Sequence, residues 1–148
     1  MQSDRLLTLA KRLDRVPVKQ FNMTFWGMEW DPEQEEYIDF GDADPAKECG
    51  FAGCAVGWAC SIPEFRELGL NLVHGTPTYN LHHHFQAAET FFDLSERQAH
   101  YLFGTAFYTP RQFRAPRYVA SRLREFVREG GAIHPERNTD NIRAAANY

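Results

Sequence analysis

Apolar residues recur at helical spacing in four stretches of the chain, and these set the first expectations. Leu6, Leu7, Leu9, Ala10, Leu13 and Val16 form one stripe, with Ser3 placed to cap it, Asp4 at the positive end of the dipole and Pro17 as its stop. A second stripe runs through Leu81, His84, Phe85, Ala88, Phe91 and Phe92, with Asn80 as its expected cap. Ala99, Leu102, Phe103, Ala106 and Phe107 repeat the pattern. The last stripe begins near Pro116, carries Val119, Leu123, Phe126 and Val127, and stops at Gly130 and Gly131. Ser61 with Glu64, Ser95 with Gln98, and Thr109 with Gln112 have the spacing of capping boxes.

The stretch from Cys49 to Cys60 is apolar on every side, which predicts a buried helix. Gly53 and Gly57 lie one turn apart there, so another backbone is expected to come close. Between Val18 and Glu48 the pattern is irregular. Aromatics cluster early in that stretch, and nine acidic residues against one Lys fill Glu29 to Glu48. A hairpin from Trp26 to Phe40 within an exposed acidic loop is the reading here. Leu70 to Tyr79, with Gly75 and Pro77, reads as a loop or small hairpin. The expected architecture is mostly α: a compact bundle of five or six helices with at most one small β-hairpin. Residues 1–131 form a single helical domain, and residues 132–148, poor in apolar side chains, form a C-terminal strap or flexible tail.

Composition narrows the function classes. A length of 148 residues suits one domain. A formal net charge of −4 argues against general nucleic-acid binding. The longest apolar stretch, Phe51 to Cys60, is about half of the roughly 20 residues a spanning helix needs, so no membrane association is expected. The first residues lack the charged lead and apolar core of a secretory signal. Three cysteines within a dozen residues make a poor disulfide framework, and reduced thiols point to the cytoplasm.

Candidate chemistry is sparse. Cys49 is expected at the start of the buried helix, where the dipole favours a thiolate that a nearby histidine would activate; His74, His84 and His100 are available for this, with His84 the candidate. Cys54 is expected to be packing, and Cys54→Ser to be worse tolerated than Cys54→Ala, because a hydroxyl in an apolar helix lacks a partner. Successive helical residues point about 100° apart, so His82, His83 and His84 do not bind one ion together. No metal is expected, because no Cys or His pair has zinc-site spacing. No phosphate loop or dinucleotide fingerprint is present, so no cofactor is expected. Arg111, Arg114, Arg117, Arg122, Arg124 and Arg128 face only Glu125 in their stretch. They read as a solvated face or one that pairs with the acidic loop, with Arg117 and Arg124 the candidate contacts for an anionic partner. Trp26, Trp30 and Tyr37 read either as core cover or as contacts to a protein partner.

Two stretches resemble a family of short proteins from bacteria and their phages that has no assigned activity. The first is Cys49-Gly50, Cys54-Ala55 and Gly57-Trp58-Ala59; the second is Ala87-Ala88, Phe91-Phe92, Leu94 and Tyr101-Leu102-Phe103-Gly104, with Val119-Ala120-Ser121-Arg122-Leu123 closing the pattern. That pattern commonly carries Thr or Ser after Cys-Gly, where this chain has Phe51. The resemblance implies a fold unit of bacterial or phage type and carries no catalytic residue. Glu48-Cys49-Gly50-Phe51 also resembles the start of the nucleophile helix in NlpC/P60-type cysteine peptidases, without the Ser that follows the Cys there. The expected function is a non-catalytic binding or protein-interaction module. The alternatives are a small cysteine-dependent hydrolase using Cys49 with a His, and a nucleic-acid-associated protein using the Arg-rich C-terminal helix.

Overall fold

The computed structural model describes residues 1–41 and 43–135. The stripe predicted near the N-terminus forms α1, Ser3–Leu13, with Leu6, Leu9, Ala10 and Leu13 buried. Leu7, on the other side, is exposed. Ser3 lies inside the helix, and Gln2 takes the cap position without a side-chain bond.

After α1 the chain passes a 3-10 turn, Val18–Gln20, and enters β1, Gly27–Asp31. β2, Glu36–Tyr37, folds back on it with Trp30 opposite Tyr37. Bonds from Ile38 N–H to the Glu29 carbonyl and from Glu29 N–H to the Asp39 carbonyl carry the hairpin on towards Phe40. This is the acidic hairpin predicted between Trp26 and Phe40.

The Cys49–Cys60 stretch is not one helix. Glu48–Gly50 is a 3-10 turn, Phe51–Gly53 is strand β3, and only Ala55–Ala59 is helical, as α2. β3 pairs antiparallel with β1, setting Gly27 opposite Gly53 and Glu29 opposite Phe51. The sheet order is β2-β1-β3. Three residues of an apolar run show no period, so a partner strand decides their conformation.

Helix α3, Pro63–Glu67, follows with Ile62 at its cap. The expected Ser61–Glu64 box does not form. Ser61 Oγ instead donates to the Trp58 carbonyl at 2.5 Å and accepts from Arg12 Nε at 3.1 Å. β4, Asn71–Val73, and β5, Thr76–Tyr79, make a two-residue hairpin whose turn residues, His74 and Gly75, both have positive φ, as a type I′ turn requires.

β6, His82–His83, extends this second sheet in the order β4-β5-β6. The stripe from Asn80 predicted a helix here. Asn80, Leu81 and His84 all have positive φ, which no right-handed helix accepts, so α4 is confined to Phe85–Phe92. Leu81 consequently stands almost fully in solvent.

α5, Glu96–Phe103, carries a full capping box: Ser95 Oγ accepts from Gln98 N–H while Gln98 Oε1 accepts from Ser95 N–H. It ends at Gly104, leaving Ala106 and Phe107 outside the helix. Thr109 and Gln112 make the predicted reciprocal bonds, but these introduce only a 3-10 turn, Gln112–Arg114. α6, Pro116–Arg128, packs chiefly on α1.

The expectation of a mostly α bundle with at most one small hairpin is therefore overturned. Among the described residues, six helices share the chain with two three-stranded antiparallel sheets, a mixed α/β fold. Of the segment expected as a C-terminal strap or tail, Ile133 packs against the core and the Gly131 carbonyl just before it accepts from Gln98 Nε2. Residues 136–148 lie outside the described residues. Among the described residues, no helix is long and apolar enough to cross a membrane.

Candidate functional site

The site is built around the Trp26 carbonyl. Buried Asn22 accepts through Oδ1 from Thr24 N–H and Thr24 Oγ1, an Asx turn that bends the chain before Phe25. Cys54 N–H then donates to the carbonyls of Phe25 and Trp26, at 3.1 and 3.3 Å. Gly53 and Gly57 present bare backbone to the same carbonyl. A Cβ would lie 2.4 Å from the Trp26 oxygen at Gly53 and 1.9 Å from it at Gly57. The close approach expected from the spacing of the two glycines is thus present, and its partner is the chain at Trp26.

Held there, Trp26 lines a cleft of about 560 Å³ between the two sheets and the facing ends of α4 and α5. Met23, Thr24 and Phe25 line it with Trp26. Phe40 enters from the end of the acidic hairpin, and His74, Gly75 and Thr76 from the β4–β5 turn. Phe85 comes from the start of α4, and Phe103, Gly104 and Thr105 from the end of α5. Trp26 and Phe85 meet edge to face at 4.9 Å, and Phe85 stacks on His100 at 4.1 Å. Phe25 meets Tyr37 edge to face at 5.0 Å. Phe40 is half exposed and Trp26 partly so, so the aromatic lining is open to solvent. Three threonines and His74 supply the polar groups. An apolar lining with a few polar groups is what a binding cleft requires, and its volume lies within the range of ligand sites.

The residues singled out in the sequence are scattered relative to this cleft. Trp26 lines it. Trp30 is buried under Tyr37, which is 41% exposed and reaches Phe25. His84 is exposed, not on a core face, with its ring 6.2 Å from that of Trp26. Arg117 is exposed, while Arg124 pairs with Asp14 at the C-cap of α1. Among the described residues, Glu35 of the acidic loop is held by Lys19 and Glu48 by Arg12. Phe25, Phe40 and Thr105 are cleft residues that the sequence did not single out, and His74, weighed there as a partner for Cys49, lines the cleft instead. They sit in turns and at element ends, where no period marks them.

The cysteines divide by environment. Cys49 is exposed, in the 3-10 turn before β3 rather than at a helix start, and among the described residues no hydrogen bond joins it to a histidine. Cys54, not Cys49, takes the cap position of α2, without a side-chain cap bond, and is buried. Burial pushes its thiol up to about 11, against the opposing pull of the Gly57 and Val56 amides. Cys54 Sγ donates to the Trp26 carbonyl at 3.7 Å, so a hydroxyl at position 54 has an acceptor that the sequence reading denied it, and Cys54→Ser is favoured over Cys54→Ala. Burial raises the Cys60 thiol as well. Thiol labelling at neutral pH, followed by mass spectrometry, is therefore expected to mark Cys49 first and Cys54 and Cys60 only on unfolding. Labelling of Cys54 at the rate of Cys49 would contradict this burial. Among the described residues, no three His, Cys, Asp or Glu side chains converge as metal ligands. Comparison with family models, curated proteins and solved structures finds no match.

Proposed function

We propose that this protein is a non-catalytic binding module whose cleft takes a large apolar side chain presented by a partner protein. The observation that carries this reading is the cleft itself: aromatic rings from two helices and two connecting loops surround open space, held by a glycine-lined backbone contact below. Aromatic anchors in such clefts dominate binding energy at protein interfaces. Cytoplasmic residence belongs to the same proposal and rests on the three free thiols. So does the kinship with short bacterial and phage proteins. The motif residues Cys54 and Gly57 support the floor beneath Trp26, and Phe103 and Gly104 contribute to the lining.

Panning a phage-displayed random peptide library on the protein tests this. Peptides sharing one aromatic or large aliphatic residue are the expected result. Their binding should be lost on Thr105→Trp, which fills the mouth, and should weaken about tenfold, or ~1–2 kcal/mol, on Phe40→Ala. Both positions are exposed, so the fold tolerates the changes. Selected peptides that bind Thr105→Trp as tightly as the parent would place recognition elsewhere and overturn the proposal.

A further inference from the structure

The cleft has a charged neighbour. From Gly27 to Gly41 the chain carries six carboxylates, Glu29, Asp31, Glu33, Glu35, Glu36 and Asp39, and no Lys, Arg or His. Lys19 holds Glu35 at 2.6 Å. Among the described residues, the other five take part in no ion pair. Asp31 and Asp39 accept from nearby backbone amides, which shapes the hairpin without neutralising it.

The charge borders the cleft. Phe40, one of its lining residues, follows Asp39 directly, and its carbonyl and Cβ lie against Gly75 of the opposite rim. Along Glu36-Tyr37-Ile38-Asp39-Phe40, exposed apolar side chains are interleaved with carboxylates. The arginine-bearing turn approaches the cleft at Met23, whose N–H donates to the Phe113 carbonyl and whose side chain is buried.

From this juxtaposition we infer that the cleft's occupant is a basic segment of a partner protein: one large apolar side chain for the aromatic cleft, with Lys or Arg beside it for the hairpin. The inference rests on the binding reading above and specifies its ligand. An acidic segment is repelled at this rim, and a wholly apolar one leaves carboxylates desolvated without partners. Rim charges of opposite sign speed association and fix orientation, and because they are exposed their effect is screened by salt.

The test uses the peptides selected on the parent protein, sorted by whether Thr105→Trp abolishes their binding. Cleft-dependent peptides are expected to be enriched in Lys and Arg within a few positions of the apolar anchor. Their affinity should fall about tenfold between about 50 and about 300 mM salt, and by a similar factor on combining Glu29→Gln, Glu36→Gln and Asp39→Asn. Circular dichroism of that triple variant should match the parent. Cleft-dependent peptides with no basic bias, bound equally by the triple variant, would overturn this inference and leave the binding reading standing. A selection that yields no cleft-dependent peptide overturns both.

Discussion

Gly57→Ala is expected to destabilise the protein by about 2–4 kcal/mol, lowering its thermal midpoint by about 10 °C. Two effects oppose each other at this position. Alanine in a helix interior is favoured over glycine by roughly 0.5–1 kcal/mol through lost backbone freedom alone. Against that, the new Cβ would stand 1.9 Å from the Trp26 oxygen and 3.1 Å from its carbonyl carbon. Both are backbone atoms, so no side-chain rotation relieves the contact. Either α2 or the Trp26 segment must move by more than an ångström. That movement breaks the bonds from Cys54 N–H to the Phe25 and Trp26 carbonyls. The clash therefore wins, and the cleft loses its floor with it. Gly50→Ala is the control: its nearest contact is the Trp30 oxygen at an ordinary 3.7 Å, and a change within about 0.5 kcal/mol is expected. Calorimetry of the two variants decides the matter. Equal midpoints would mean that the backbones do not approach as described.

The second large effect is expected at Arg122, which the sequence placed in a solvated, Arg-rich face. It is 5% exposed. Its guanidinium lies 3.7 Å from the ring centre of Tyr108 and 4.9 Å from that of Tyr101, while Nη1 and Nη2 donate to the carbonyls of Tyr101 and Phe107. Burial raises the Tyr108 hydroxyl, with the arginine charge pulling the other way, so the phenol stays neutral near neutral pH. Arg122→Met keeps the length but removes the donors. Each buried carbonyl left without a partner costs about 1–3 kcal/mol, and a desolvated cation–π contact contributes about 2 kcal/mol. Release from burying a charge offsets part of this loss. A net destabilisation of about 3 kcal/mol is expected from urea denaturation. Arg122→Lys should recover only a fraction, because an ammonium lacks the planar fork that reaches both carbonyls while stacking on the rings. A lysine variant as stable as the parent would show that charge alone matters here.

Chain-local features were legible without coordinates. The stripes of α1, α5 and α6, the Ser95–Gln98 capping box, the acidic hairpin and the glycine spacing all depend on residues a few positions apart. Periodicity and cap chemistry act over that range. The errors share one cause. At Cys49–Cys60 the sequence is apolar throughout, and both strand and helix bury such a run. The pairing of Phe51–Gly53 with Gly27–Glu29 decided between them, moving Cys49 off a helix start and putting Cys54 there. At Asn80–His84 an apparent helical stripe gave way to a turn with positive φ and a strand paired to Thr78 and Tyr79.

By itself, then, the sequence determined where several helices form, which of their faces are apolar, and where two glycines admit another backbone. Tertiary structure alone decided that the remaining chain forms two sheets, that Arg122 lies among tyrosines, and that Phe25, Trp26, Phe40, Phe85 and Phe103 enclose one cleft. The reason is physical. The strands are two to five residues long, too short for alternation to register, and their hydrogen-bond partners are set by non-local pairing. The cleft is likewise assembled from turns and element ends, joined only when α2 packs beneath Trp26.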